Sequence, residues 1–188
     1  MIWSLPSAVK IGGKAWAIRT DYRNILRIIK KLNDPEEDEK VRVYVSLALL
    51  YPDFENMPES ILREAAEKMM WFISCGEEED GRKHPKLIDW EQDYSMIAAD
   101  INKVAGRDVR ESVPLHWWSF VSMFNGIGEG QLSTVVAIRE KKRTGKRLEK
   151  WEQEFYRKNR SKVEFKQRYT SAENDLLSMW AGKGGEQK

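Results

Sequence analysis

Apolar positions recur along this chain at helical spacing for most of its length. Tyr22, Ile25, Leu26, Ile29 and Leu32 share one stripe of a helical period. Asp34-Pro35-Glu36-Glu37 then predicts a second helix start: a capping Asp, a Pro at the first helical position, and acids against the positive end of the helix dipole. That helix carries Val41, Tyr44, Val45 and Ala48 to a stop at Tyr51-Pro52-Asp53. Pro58 opens a third, striped with Ile61, Leu62, Ala65, Ala66, Met69 and Ile73 and ended by Gly76. Residues 76–86 are charged, contain Gly81 and Pro85, and predict an exposed loop. A fourth helix is expected from about Asp89, with Trp90, Tyr94, Ile97, Ala98, Ile101 and Val104 on one stripe and Gly106 closing it. The segment from Pro114 to Asn125 is different in kind. Leu115, Trp117, Trp118, Phe120, Val121, Met123 and Phe124 leave little polar face, as in a central core helix or an interface. Leu132, Val135, Val136 and Ile138 predict a further helix running into Arg139–Arg143 and stopped by Gly145. Leu148, Trp151 and Phe155 predict another, and Leu176, Leu177 and Trp180 a last weak one.

Only the beginning breaks this pattern. Val9, Ile11, Trp16 and Ile18 flank Gly12-Gly13, a turn signal that predicts a β-hairpin over about residues 9–18. A lone hairpin is marginal in water, so it must lie on the helices or pair with a partner's strand. The expected fold is mainly α: one multi-helix globular domain over residues 1–180 with a small N-terminal β-hairpin, and a disordered tail at 181–188.

Composition narrows the function more by exclusion than by assignment. A net charge of +2 on 188 residues is no polyelectrolyte. The single Cys75 excludes an internal disulfide and suits a reducing cytosol. No transmembrane run and no signal-peptide pattern are present, so no membrane association is expected. Gly12-Gly13-Lys14 lacks the earlier glycine and the following Ser or Thr of a phosphate loop; a hairpin turn accounts for both glycines. His84 and His116 have no partner at ligand spacing, and His116 reads as a hydrogen-bonded, partly buried side chain. Cys75, followed by glycine and acids, reads as a small buried residue. Asp89, Glu91 and Asp93 read as first-turn helix acids. With no nucleophile–base pair and no cofactor motif, an enzyme is not expected, nor any cofactor or metal.

What remains is surface for partners. The chain spends eight tryptophans, and one phrase occurs twice: Asp89-Trp90-Glu91-Gln92-Asp93-Tyr94 and Lys150-Trp151-Glu152-Gln153-Glu154-Phe155. Each copy places an aromatic four residues after a Trp, on one face of a helix. Such pairs are core as a rule, yet Trp is also enriched at binding hot spots, so Trp90, Trp117, Trp118 and Trp151 are the candidate partner contacts. The two phrases are expected to face the Pro114–Asn125 helix from different sides. Charge is polarised: residues 51–100 carry 5 basic and 13 acidic residues, and residues 139–168 carry 13 basic and 5 acidic. Arg139, Lys141, Lys142 and Arg143 are thus a candidate charged contact, for a protein partner or for head-to-tail self-association. They also fit a solvated helix C-terminus. Nucleic acid is the less favoured partner, because no aromatic interleaves the basic run.

Several of these words together carry a family resemblance. Ile2-Trp3-Ser4-Leu5-Pro6, Ile18-Arg19-Thr20-Asp21-Tyr22-Arg23, Leu32-Asn33-Asp34-Pro35, Tyr51-Pro52-Asp53, Asp89-Trp90-Glu91-Gln92-Asp93, Leu115-His116-Trp117-Trp118 and Lys150-Trp151-Glu152-Gln153-Glu154-Phe155 resemble the small tailed-phage proteins called gene product fifteen, from Ile2 to about Tyr169. That resemblance implies a place in the tail-morphogenesis module of a long-tailed phage. It implies a tail assembly chaperone in the cytoplasm of the infected bacterium, binding the tape measure protein, the tail tube protein or both before the tube polymerises. Two alternatives stay open: a minor structural or connector component of the virion tail, and a nucleic-acid-binding module.

Overall fold

The computed structural model describes residues 4–77, 85–111 and 113–166. The weak helix expected at Leu176–Trp180 and the tail at 181–188 lie outside the described residues, as do residues 78–84 of the expected loop. The fold is mainly α, with an antiparallel hairpin at its N-terminal end. Strands β1 (Ala8–Ile11) and β2 (Lys14–Ala17) pair Val9 with Trp16 and Ile11 with Lys14. Gly12 and Gly13 take φ of 54° and 79°, the two left-handed positions that a tight hairpin turn demands. The hairpin lies on the helices: Val9, Ile11 and Trp16 are buried, and the Gly12 N–H donates to Glu64 at 2.9 Å.

Among the described residues eight α-helices follow: α1 (Tyr22–Leu32), α2 (Glu39–Leu50), α3 (Leu62–Ile73), α4 (Tyr94–Ala105), α5 (Trp117–Asn125), α6 (Gln131–Arg143), α7 (Lys150–Lys158) and α8 (Arg160–Val163). Short 3-10 turns at Phe54–Asn56 and Glu59–Ile61 lead into α3. α1 packs on α2 and α5, α4 on α5 and α6, and α6 on α8. No helix among the described residues is long and apolar enough to cross a membrane.

α5 is the centre of the packing, as its all-round apolarity requires. Phe120 stacks on Tyr22 of α1 with centroids 4.3 Å apart, while Trp117 and Phe120 are buried. The helix starts at Trp117 rather than at Pro114, because His116 is its cap. His116 Nδ1 accepts the Trp118 N–H at 3.1 Å, and its Nε2 lies 3.0 Å from the Pro6 carbonyl oxygen. A nitrogen that accepts a backbone N–H and another that faces a carbonyl fix the neutral tautomer with its proton on Nε2. Val109, Leu115 and Trp117 are knitted to the N-terminal region: Tyr22 N–H donates to Leu115 O at 2.9 Å, Trp117 N–H to Thr20 O at 2.7 Å, and Tyr22 Oη to Val109 O at 3.0 Å.

Three helix readings need correction. α2 begins at Glu39 with Asp38 as its cap; Asp34 instead accepts from Glu36 N–H inside a preceding turn. Its predicted core stripe is its wet side. Val41, Tyr44 and Ala48 are exposed, while Ser46, Leu47 and Leu50 are buried, because α2 is apolar on most of its circumference and periodicity alone cannot choose its inner face. α4 begins at Tyr94, not at Asp89. The Asp89 carboxylate accepts the Glu91 and Gln92 N–H groups at 3.0 and 2.9 Å, which closes residues 89–93 into a separate capped turn. Finally, α7 turns Glu152 inward and leaves Trp151 58% exposed, since Glu152 pairs with Lys141 of α6 at 2.7 Å. The second copy of the repeated phrase therefore does not face α5.

Candidate functional site: an apolar groove with a cationic rim

The capped turn and α1 stand opposite each other and enclose a groove of about 740 Å³. One wall is α1. Its innermost stripe, Tyr22, Ile25 and Ile28, goes to the core. Its next stripe, Leu26 and Ile29, is left at the groove's edge, with Arg23, Arg27 and Lys30 above it. The other wall is residues 86–94, contributing Ile88, Trp90 and Tyr94 as apolar surface and Lys86, Asp89 and Glu91 at the margin. Trp90 rests on α5 below, with ring centroids 5.1 Å from Phe124 and 6.1 Å from Trp117. The floor of the groove is thus continuous with the core.

The rim is basic but mostly neutralised. Arg23 is held by Asp21 at 2.8 Å, Lys86 by Asp89 at 2.9 Å, and Lys30 reaches across the groove to Glu91 at 2.5 Å. Arg27 has no ion pair or hydrogen bond among the described residues. An apolar trough flanked, among the described residues, by one free and several paired cations can bind an apolar helix face with an acidic flank.

The second wall is anchored by a buried ion pair. Arg139 of α6 meets Asp93 in bidentate geometry, at 2.6 and 2.9 Å, and the two side chains are 4% and 0% exposed. The guanidinium also donates to the carbonyls of Leu87, Lys162 and Val163 and lies 4.1 Å from the Phe165 ring centroid. Every donor of this buried charge has an acceptor, the condition under which such a group is tolerated. Arg139 therefore clamps α6, the groove wall and the end of α8 together.

The residues singled out in the sequence are distributed as follows. Trp90 lines the groove. Trp117 is 3% exposed, and its indole donates to Ile73 O at 2.9 Å, so it is core and not a contact. Trp118 is partly buried, donates to Phe72 O at 2.9 Å and packs edge-on against Trp71. Trp151 is exposed on α7, which packs on α8. The basic run is not a free charged face. Besides Arg139, Lys141 is paired with Glu152, Lys142 with Glu164 and Arg143 with Glu140, each within the chain. Helix packing brings Glu152 of α7 to Lys141 and Glu164, just past α8, to Lys142, while Arg143 pairs with Glu140 on α6 itself; a one-dimensional charge count registers none of this.

Other chemistry is weak throughout. No group of His, Cys, Asp and Glu among the described residues could hold a metal. Burial, with Glu77 nearby, pushes the Cys75 thiol up to about 11, away from nucleophilic use. His116 is committed to capping. Sequence reading missed Arg23, Leu26, Arg27, Ile29, Lys30 and Ile88 as a site. The signal present was α1's apolar stripe, wider than one buried face needs.

The model of a family described as Bacteriophage Gp15 protein matches residues 1–165. No curated protein and no solved structure matches the chain.

Proposed function

The chain belongs to the Bacteriophage Gp15 protein family, and from that membership we propose a non-enzymatic role in tail morphogenesis: a tail assembly chaperone that holds an apolar helical segment of the tape measure protein until the tail tube polymerises. The observation that carries this reading is the groove between α1 and residues 86–94. It presents Leu26, Ile29, Ile88, Trp90 and Tyr94 to solvent on a rigid core. Exposed apolar surface of this extent marks an interaction site. A long hydrophobic helical cargo supplies the complementary face, and the work is done in the host cytoplasm. The apolar lining and its largely paired cationic rim support binding of an apolar helix face.

The test is co-expression with the tape measure protein of the same phage. The expected result is a soluble, co-purifying complex that is lost in Ile29→Asp, a substitution at the groove's edge, while the far-ultraviolet circular dichroism is unchanged. Failure to form any complex with both proteins folded would overturn the reading. Stoichiometric presence in purified virions would instead place the protein among the tail's structural components.

A further inference from the structure

We propose that the outer face of α2 is a contact between two copies of this chain, joined as an antiparallel helix pair about a two-fold axis. This rests on neither the groove nor its cargo. α2 presents apolar side chains on two opposite sides. Leu47 and Leu50, with Ser46, are buried on the side that meets α1 and α3. On the other side Val41 and Tyr44 are 47% and 57% exposed, with Ala48 open beside them and Val45 half-buried. Val41, Tyr44 and Ala48 recur at intervals of three and four residues, the seam of a helix paired with one other helix. A helix apolar on most of its circumference is one that is covered on several sides. Among the described residues α2 is covered on one side only.

The charges around the seam select a second copy as the occupant. Asp38, Glu39 and Lys40 stand exposed at its N-terminal end, and Arg19, Asp53 and Glu55 at its C-terminal end. None of the six has an ion pair among the described residues. Arg19 donates to the Ala48 and Leu49 carbonyls at 3.0 and 2.9 Å, which fixes it at the end of α2. Tyr44 packs edge-on against Phe54 with centroids 4.8 Å apart, so the turn carrying Asp53 and Glu55 lies on the Tyr44 flank of the seam. Lys40, four residues before Tyr44, lies on that flank as well. A two-fold axis across the middle of α2 brings the two ends of one flank together. Lys40 of one copy then lies beside Asp53 and Glu55 of the other, and the Asp38–Glu39 end beside the other's Arg19, each twice. Val41 falls opposite the partner's Ala48, and Tyr44 opposite the partner's Val45. A parallel pair would instead set Lys40 against Lys40 and Asp53 against Asp53. α2 is 12 residues, about 18 Å, long, and one such face falls short of the roughly 800 Å² per partner of a standard stable interface. The pair is therefore reversible, with a Kd on the order of 10–100 μM.

The test is sedimentation equilibrium of the whole chain from low to high micromolar concentration. The expected result is a monomer–dimer equilibrium that Tyr44→Arg abolishes while the far-ultraviolet circular dichroism is unchanged. Lys40→Glu should cut the association constant about fivefold, and adding Asp53→Lys in the same chain should restore it. Disulfide trapping reads the geometry independently of those variants. In a Cys75→Ser background, Val41→Cys chains mixed with Ala48→Cys chains should form a cross-linked dimer. Val41→Cys alone should not, because its two copies lie about 10 Å apart along the helix axis, beyond disulfide reach. A chain that stays monomeric throughout the range overturns the proposal. So does a dimer indifferent to Tyr44→Arg, or one in which Val41→Cys cross-links to itself, the mark of a parallel pair. Ile29→Asp should leave the equilibrium unchanged; a lost dimer would mean that the groove joins the copies and would also overturn it. None of these arms contains the tape measure protein, so this contact and the proposed cargo stand or fall separately.

Discussion

Replacing Arg139 by Met should be among the most damaging single changes available outside the aromatic core. The substitution keeps the aliphatic volume but strands Asp93, whose side chain is 0% exposed, as an unpaired buried carboxylate. Breaking a buried pair from one side costs about 3–5 kcal/mol. The carbonyls of Leu87, Lys162 and Val163 lose their donor as well, each worth about 1 kcal/mol. A loss of at least about 4 kcal/mol is expected, which lowers the melting temperature by roughly 8–16 °C for a chain of this size. Asp93→Asn should cost less, about 3 kcal/mol, because an amide still accepts the Asp89 N–H and part of the guanidinium while leaving its charge uncompensated. Urea denaturation of wild type, Arg139→Met, Asp93→Asn and the double variant closes the cycle. The two effects should be strongly non-additive, with coupling of about 2 kcal/mol, since they share one interaction. Single losses below about 1 kcal/mol, or additivity within about 0.5 kcal/mol, would refute the picture of a buried clamp.

Trp117→Ala should cost about 3–5 kcal/mol and Trp118→Ala distinctly less, because Trp117 is buried and Trp118 only partly so; equal costs in thermal melts would contradict the packing. Trp151→Ala should change stability by no more than about 0.5 kcal/mol by the same assay, since the ring is 58% exposed. Cys75 should react slowly with a disulfide reagent at pH 8 in the native protein and quickly once denatured. Because folding raises its value from 9.0 to about 11, its contribution to stability is complete below pH 9 and is lost as pH rises toward 11; a denaturant midpoint that climbs through that window would refute this.

Much of the fold was legible because it depends on local rules. Gly12-Gly13 between apolar alternations can hardly be anything but a hairpin, and Gly106 and Gly145, at φ of 67° and 70°, mark the chain's departures from α4 and α6. α5 could be marked from composition as a core helix or an interface, and its packing on α1 and α4 decides for the core. The repeated phrase failed for a non-local reason. Its first copy is bent into a turn because Asp93 is claimed by Arg139, 46 positions away, whereas in the second copy Glu154 pairs with Lys158 one turn on and the helix continues. Arg139 itself looked like any cation in a last helical turn. Its burial follows from α8 and Asp93 closing over it. Gly130 hid a similar constraint. A Cβ there would lie 2.6 Å from the Asp100 carboxylate, which accepts the Leu132 N–H at the start of α6. The groove was illegible because its walls come from segments some sixty positions apart, and neither is a site alone.

The indoles of Trp117 and Trp118 satisfy the carbonyls of Ile73 and Phe72, acceptors that lie 44 and 46 positions earlier in the chain. The last turn of α3 is therefore finished by a helix that the ribosome has not yet made when α3 itself emerges. Until α5 arrives, the Ile73 carbonyl is left to water, the Phe72 carbonyl keeps only its local bond from the Cys75 N–H at 3.2 Å, and the edge-on packing of Trp71 against Trp118 is missing. Long-range closure of this kind raises contact order and slows the rate-limiting step. It also orders events during synthesis. The hairpin and α1 to α3 can form early by local contacts, but their shared end is sealed late, in one step, by two adjacent side chains. A nascent chain stalled before residue 117 would thus display an unfinished α3 terminus, a surface that the completed protein no longer has.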